Sequence, residues 1–171
     1  MKQAKILTKA EYKRVMHVID AHRYAVRNRT MFALSFYAGL RACEIAGLKV
    51  GDVYGEDGTV RNTLYLESEQ TKGSEQQQVI VSKQLQKQLA LYAKHYKAHT
   101  NQANAPLFFS GKGGGFSAQT VINLFSRFYS KAGLKGASRD LLGKRSCQEG
   151  SVNNTMKNKL KYTLTHEKNC P

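Results

Sequence analysis

Between Met31 and Leu48 the chain reads MFALSFYAGLRACEIAGL, with only two charged side chains, Arg41 and Glu44. A stretch this apolar cannot lie on a surface the way an amphipathic helix does. Met31, Leu34, Phe36 and Tyr37 predict a heavily buried helix over residues 25–38, and Gly39 is its stop, because glycine takes up left-handed backbone without steric cost. A short helix is then predicted over residues 41–48, with Cys43, Ile45 and Leu48 on its apolar positions. The stretch demands a helical core and sets one arginine, Arg41, where two helices meet. Such an arginine is either a surface residue whose stem covers apolar neighbours or a cation placed to hold an anion.

The remaining elements are built around this core. Residues 8–22 read as a first helix: Thr8 and Glu11 make a capping box, and Tyr12, Val15, Val18 and Ile19 form the apolar face. KVGDVYGEDG, which follows Leu48, is turn-like. Residues 59–67 and 77–82 have strand character, and the polar turn SEQTKGSEQ between them makes a hairpin with Lys72 near its tip. Ser82 caps a helix running to about residue 99, with Leu85, Leu89, Tyr92 and Tyr96 as its stripe. A loop follows, with a short apolar strand at 107–109. Its GKGGG segment lacks the Gly-Lys-Ser/Thr ending of a phosphate-binding P-loop. Ser117 caps a last helix with Val121, Phe125, Phe128 and Ala132 inside, ended by AGLKG. The fold class is therefore α+β, mainly helical, with one small antiparallel β-sheet.

Charge narrows the function. Among 171 residues, 27 Lys and Arg face 12 Asp and Glu, a net charge of +15. An excess of this size points to a polyanion, nucleic acid before an anionic membrane surface. It is spread along the chain: residues 1–110 carry 16 basic and 9 acidic groups, residues 111–171 carry 11 and 3. No run is apolar and long enough to span a membrane, and the N-terminus lacks the apolar centre of a signal peptide, so the expected location is the cytoplasm. The three cysteines, Cys43, Cys147 and Cys170, are far apart and odd in number, which predicts free thiols and no metal site, even with His166 nearby.

Three landmarks now line up: YAGLRACEIAGLKVGDV, a polar hairpin carrying TKG, and APLFFS followed by FSAQTVINLFSRFYSKAGLKGAS. Their order resembles the catalytic domain of the tyrosine recombinase, or phage integrase, family over roughly residues 5–138. The Gly-Leu-Arg-x-x-Glu-Ile-x-x-Leu-x-x-x-Asp pattern from Gly39 to Asp52 is the most specific part. The resemblance implies double-stranded DNA as partner, a homo-oligomer on DNA, no metal or nucleotide cofactor, and strand breakage and rejoining through a phosphotyrosyl link. It implies that Arg41 holds the scissile phosphate, that Glu44 buttresses Arg41, and that Lys72 protonates the leaving oxygen. The chemistry suits these residues: arginine stays charged and offers a planar fork to the oxygens on which charge grows in the transition state. Further DNA contacts are expected from Ser117 and Gln119, at the start of the last predicted helix, and from Arg127 on its polar face.

After Ser138 the resemblance stops. The family's His-x-x-Arg would fall on Asp140 and Gly143; Lys144 and Arg145 are basic but off register. There is no Leu-Gly-His, and Tyr162, with His166 behind it, comes too early to match the family's nucleophile. Residues 1–138 are therefore expected to form an incomplete catalytic domain, and residues 139–171 a basic, divergent tail, truncated or replaced as by a frameshift. The chain also starts almost at the catalytic domain, without an upstream helical clamp. Two functions follow: a recombinase whose strand transfer is impaired, or a non-catalytic DNA-binding remnant or regulator. A basic RNA-associated protein ranks last, for want of an aromatic RNA-binding signature.

Overall fold

The computed structural model describes residues 7–66, 77–97, 101–111 and 113–134. Lys72, Arg145, Tyr162 and His166, and the whole segment 139–171, lie outside the described residues. The elements are α1 (Lys9–Asp20), α2 (Ala25–Ala33), a π-helical turn (Leu34–Ala38), α3 (Ala42–Gly47), α4 (Val50–Val53), β1 (Thr63–Leu66), β2 (Gln77–Ile80), α5 (Lys83–His95) and α6 (Ala118–Lys131). The chain is mainly helical, with β1 and β2 paired antiparallel as a two-stranded sheet, Thr63 opposite Ile80 and Leu66 opposite Gln77.

The capping box at the start of α1 forms as the sequence requires. The Glu11 backbone N–H donates to Thr8 Oγ1 at 3.2 Å, and Glu11 Oε2 accepts from the Thr8 N–H at 2.9 Å. Helix α2 buries residue after residue (Arg27, Asn28, Thr30, Met31, Phe32 and Ala33), so it has no solvent-facing stripe in its second half. It packs against α1 and α5, while α3 and α1 both pack against α6.

The continuous helix expected over 25–38 is not what forms. Its last turn widens into the π-helical turn, and the reason lies on α1. The Tyr12 ring meets Phe36 at 4.1 Å, Tyr37 at 5.5 Å and Phe32 at 5.6 Å between centroids. Successive residues of an α-helix point about 100° apart, which would turn either Phe36 or Tyr37 away from that ring. The extra residue of a π turn lets both face it. Gly39 then ends the helix at φ 69°, its N–H reaching back to the Leu34 carbonyl. Gly39→Ala forces a side chain into the left-handed region and is expected to destabilise the domain by about 1–2 kcal/mol, read as a lower midpoint in urea unfolding with an unchanged slope.

Other expectations shift in detail. The turn-like KVGDVYGEDG contains a single helical turn, α4, because Asp52 Oδ2 accepts the Lys49 N–H at 2.7 Å. Cys43, placed on an apolar position by the sequence, is exposed on α3, whereas Ile45 and Leu48 are buried. The apolar run at 107–109 is no strand. Isolated bridges, Lys49 with Pro106 and Phe109 with Gly115, replace it, and Leu107 and Phe108 are both buried as anchors of a loop. Two buried tyrosines fasten that side: Tyr92 Oη donates to the Leu107 carbonyl at 2.6 Å and Tyr54 Oη to the Leu89 carbonyl at 2.8 Å.

The core is centred on Phe32, whose ring meets Phe125 at 5.4 Å and Tyr129 at 5.8 Å on α6 as well as Tyr12 on α1. The residues expected inside α6, namely Val121, Phe125, Phe128 and Ala132, are all buried. Arg14 of α1 closes the far end by donating from Nη2 to the Ala132 carbonyl at 2.7 Å, where a helix C-terminus favours a cation.

Candidate functional site

Arg41 is the residue before α3, in extended backbone at φ −75° and ψ 161°. This conformation breaks the chain direction between the Gly39 stop and α3 and lets the Arg41 side chain leave the core. Leu40 stays buried just before it. Glu44, in the first turn of α3, is the partner that fixes Arg41. Its Oε2 accepts the Arg41 backbone N–H at 2.7 Å and its Oε1 accepts from Arg41 Nη1 at 3.1 Å. The two side chains differ sharply in exposure, with Arg41 at 50% and Glu44 at 3%. A buried carboxylate thus holds both ends of one residue, while half of its side chain is exposed to solvent. A guanidinium has five N–H donors; one is on Glu44, and the forked edge that remains suits a phosphate oxygen pair.

Ser117 caps α6. Its hydroxyl oxygen accepts the Thr120 N–H at 3.2 Å and lies 2.8 Å from Thr120 Oγ1. Gln119 donates from Nε2 to Asn123 Oδ1 at 2.9 Å, and Arg127 is exposed on the same helix. These polar contacts stay within α6. Because α3 packs on α6, the helix led by Arg41 and the one that carries Ser117, Gln119 and Arg127 form a packed pair. Arg41 and Glu44 are brought into direct contact; Lys72, Tyr162, Arg145 and His166 lie outside the described residues. Among the described residues no cluster of three His, Cys, Asp or Glu side chains could hold a metal ion, and no helix is long and apolar enough to cross a membrane.

Sequence reading missed a second arginine. Arg27 is buried on α2 at 4% exposure, and among the described residues its hydrogen-bond acceptors are neutral oxygens. Nη1 donates to the Phe109 carbonyl at 2.8 Å, and Nε and Nη2 donate to Asn28 Oδ1 at 3.1 and 3.0 Å. Its guanidinium lies over the Tyr24 ring at 4.3 Å and the Phe116 ring at 4.8 Å, contacts that favour a desolvated cation. Burial lowers its pKa, and nearby tyrosines oppose that shift. Arg27 thereby ties α2 to the loop that leads into α6. The available signal was the Tyr-x-x-Arg-Asn spacing on a helix without a nearby acid.

Asn28 extends the network to His22. The Asn28 amide nitrogen lies 3.1 Å from His22 Nδ1, and the Tyr24 N–H donates to the same nitrogen at 3.3 Å. Two donors on Nδ1 require it to be unprotonated. Burial, and then the charges of Arg27 and Lys131, hold the His22 pKa below its ordinary value. The unfolded chain therefore takes up a proton that the folded chain resists. This part of the stability is present above the ordinary histidine pKa and is lost as pH falls through about 6.5 toward the folded value. Thermal melting between pH 7.5 and 5.5 is expected to show a steeper decline for the native chain than for His22→Gln.

The sequence matches the phage integrase family over residues 5–142. No curated protein matches it. Among solved structures, XerA recombinase superimposes with a TM-score of 0.65 at 22% identity over 83% of this chain and 48% of that one. Lambda integrase residues 75–356 bound to DNA gives 0.62 at 19% identity over 85% and 50%. XerH site-specific recombinase bound to its difH substrate in a pre-cleavage complex gives 0.61 at 20% over 84% and 42%. The chain spans about half or less of the length of these structures, and at such identities they establish the fold. The mainly helical domain with its two-stranded antiparallel sheet is the tyrosine recombinase catalytic-domain fold, and the chain belongs to the phage integrase family.

Proposed function

We propose that this chain binds double-stranded DNA in the manner of a tyrosine recombinase, gripping a backbone phosphate with Arg41, and that its strand transfer is impaired. One observation carries the reading: an arginine half open to solvent is held at two points by a buried glutamate. Such a buttress costs the desolvation of a carboxylate, which is sensible where it orients a cation toward an anion. The guanidinium is then presented already oriented, so little side-chain entropy is lost when a phosphate arrives. Lys72 is the proposed general acid at the leaving oxygen. Ser117, Gln119 and Arg127 are proposed to touch the DNA backbone or groove. Double-stranded DNA is the partner, with a homo-oligomer assembling on it, and no metal or cofactor enters the reaction.

Impairment follows from the sequence. Asp140 and Gly143 stand where the family's His-x-x-Arg would fall, and Tyr162 is off register for the nucleophile. With neither the histidine nor the arginine at those positions, transition-state stabilisation is lost while phosphate binding by Arg41 persists. The test uses a pool of nicked duplexes carrying inverted half-sites. A native gel is expected to show a shift that weakens in Arg41→Ala, and a denaturing gel no covalent protein–DNA band. A covalent band that disappears in Tyr162→Phe would overturn the impairment. A shift indifferent to Arg41 would overturn the phosphate site.

A further inference from the structure

Between α1 and the first turns of α5 the surface opens into a groove of about 370 Å³. Lys13 and His17 stand on the α1 wall, Gln84 and Lys87 on the α5 wall, and Met16 and Tyr37 form part of the lining. Lys13 and His17 share one helix face, one turn apart, and Gln84 and Lys87 do the same on α5. Two further lining residues, Arg29 and Asp20, pair with each other, so their charges cancel. What remains is cationic on both walls with no unopposed carboxylate in the lining. The floor is different in kind: Met16 is buried, and the Tyr37 ring is exposed.

A cationic groove with an apolar floor and an amide on its wall matches a particular chemistry. Carboxylates would sit against Lys13 and Lys87, a backbone amide would pair with Gln84, and an apolar side chain would cover Tyr37 and Met16. We propose that this groove docks an acidic peptide segment of a partner protein, anchored by one apolar side chain. A second copy of the chain fits poorly. Two copies at +15 repel, and among the described residues the exposed acids are few: Asp20 is held by Arg29, Asp57 Oδ1 accepts from both the N–H and the hydroxyl of Thr59, and Glu56 stands next to Asp57. The chain's own segment 135–171 carries more basic than acidic residues and lacks the complementary charge. A DNA backbone offers phosphates and sugars but no apolar chain for the floor.

The probe is a short fluorescein-labelled peptide of glutamates flanking a single phenylalanine, titrated against the full chain and followed by anisotropy. Lys13→Glu with Lys87→Glu is expected to weaken binding at least about tenfold, given that close charge pairs across an interface carry such energies. Tyr37→Ser is expected to weaken it at unchanged charge. A control of equal charge change away from the groove, Lys49→Glu with Lys94→Glu, is expected to alter affinity less than about twofold through screened long-range effects. The four lysines are exposed, so their exchange leaves the fold in place; Tyr37 also packs on Tyr12 and Phe36, so its variant is read only where thermal melting shows it folded. Equal weakening by both double variants would reduce the effect to general attraction and overturn the docking site. Displacement of the peptide by an unlabelled duplex from the native chain, together with loss of direct duplex binding in Lys13→Glu with Lys87→Glu, would assign the groove to DNA instead.

Discussion

Arg41→Ala is expected to weaken duplex DNA binding by about tenfold or more, the 1.5–3 kcal/mol typical of a hydrogen bond to a charged group, with a smaller loss of stability. The two halves of this expectation come from the same geometry. Half of the side chain is solvent-exposed, and the buried Glu44 carboxylate would lose its Nη1 partner but keep the Arg41 backbone N–H, so the melting temperature should drop only modestly. The forked edge left free by Glu44 is the part that meets a phosphate. The salt dependence gives an independent reading: removing one phosphate contact lowers the slope of log affinity against log salt by about 0.9. Arg41→Lys should fall between, since it keeps the charge and loses the fork. Glu44→Ala should behave differently from both. It leaves the Arg41 N–H without its acceptor and frees the guanidinium to wander, so affinity and stability should fall together. Binding titrations at several salt concentrations, paired with thermal melts, separate these cases.

Phe32→Ala is expected to cost about 3–5 kcal/mol, the range for truncating a buried aromatic. Phe32 is 1% exposed and touches rings from two other helices, Tyr12 on α1 and Phe125 and Tyr129 on α6. Removing it leaves a void bounded by three large rings, Tyr12, Phe125 and Tyr129. Edge-to-face partners add about 0.5–1.5 kcal/mol beyond area burial. Against a typical total of 5–15 kcal/mol, this loss is expected to depress the melting temperature by about 10 °C or more, and to leave residual binding at low temperature because Arg41 and Glu44 are untouched. Phe32→Leu, which keeps most of the volume, should recover much of it.

What could be read from the sequence tracks how local each determinant is. The Thr8–Glu11 box, the caps at Ser82 and Ser117, and the apolar stripes of α5 and α6 depend on neighbours three or four residues away, and all form. The family pattern from Gly39 to Asp52 pointed to Arg41 with Glu44 as its support, and the two do meet. The failures are cases where a distant element decided. Tyr12, on another helix, turned the end of α2 into a π turn. Leu107 and Phe108 are both buried because they plug the space beside Leu48 and Tyr92, so an apolar run that resembled a strand is a loop anchor. Arg27 was illegible for the same reason. Its acceptors and one of its two aromatic neighbours come from residues 109 and 116, far along the chain, and from the adjacent Asn28.

The π turn at Leu34–Ala38 also determines how this gene tolerates changes in length. A π turn holds one residue more than an α-helix needs to cover the same rise, so loss of a single codon there would let the segment rewind as ordinary α-helix with its backbone hydrogen bonds intact. The loss would be felt inside the turn: the extra residue is absorbed within it, so Gly39 and Arg41 would stay close to where they stand, while Phe36 and Tyr37 would shift against Tyr12. A one-residue deletion at Ser35 is therefore expected to yield a protein that melts lower, through weaker packing on Tyr12, yet still binds DNA through Arg41, a phenotype that thermal melts would register and binding at low temperature would miss.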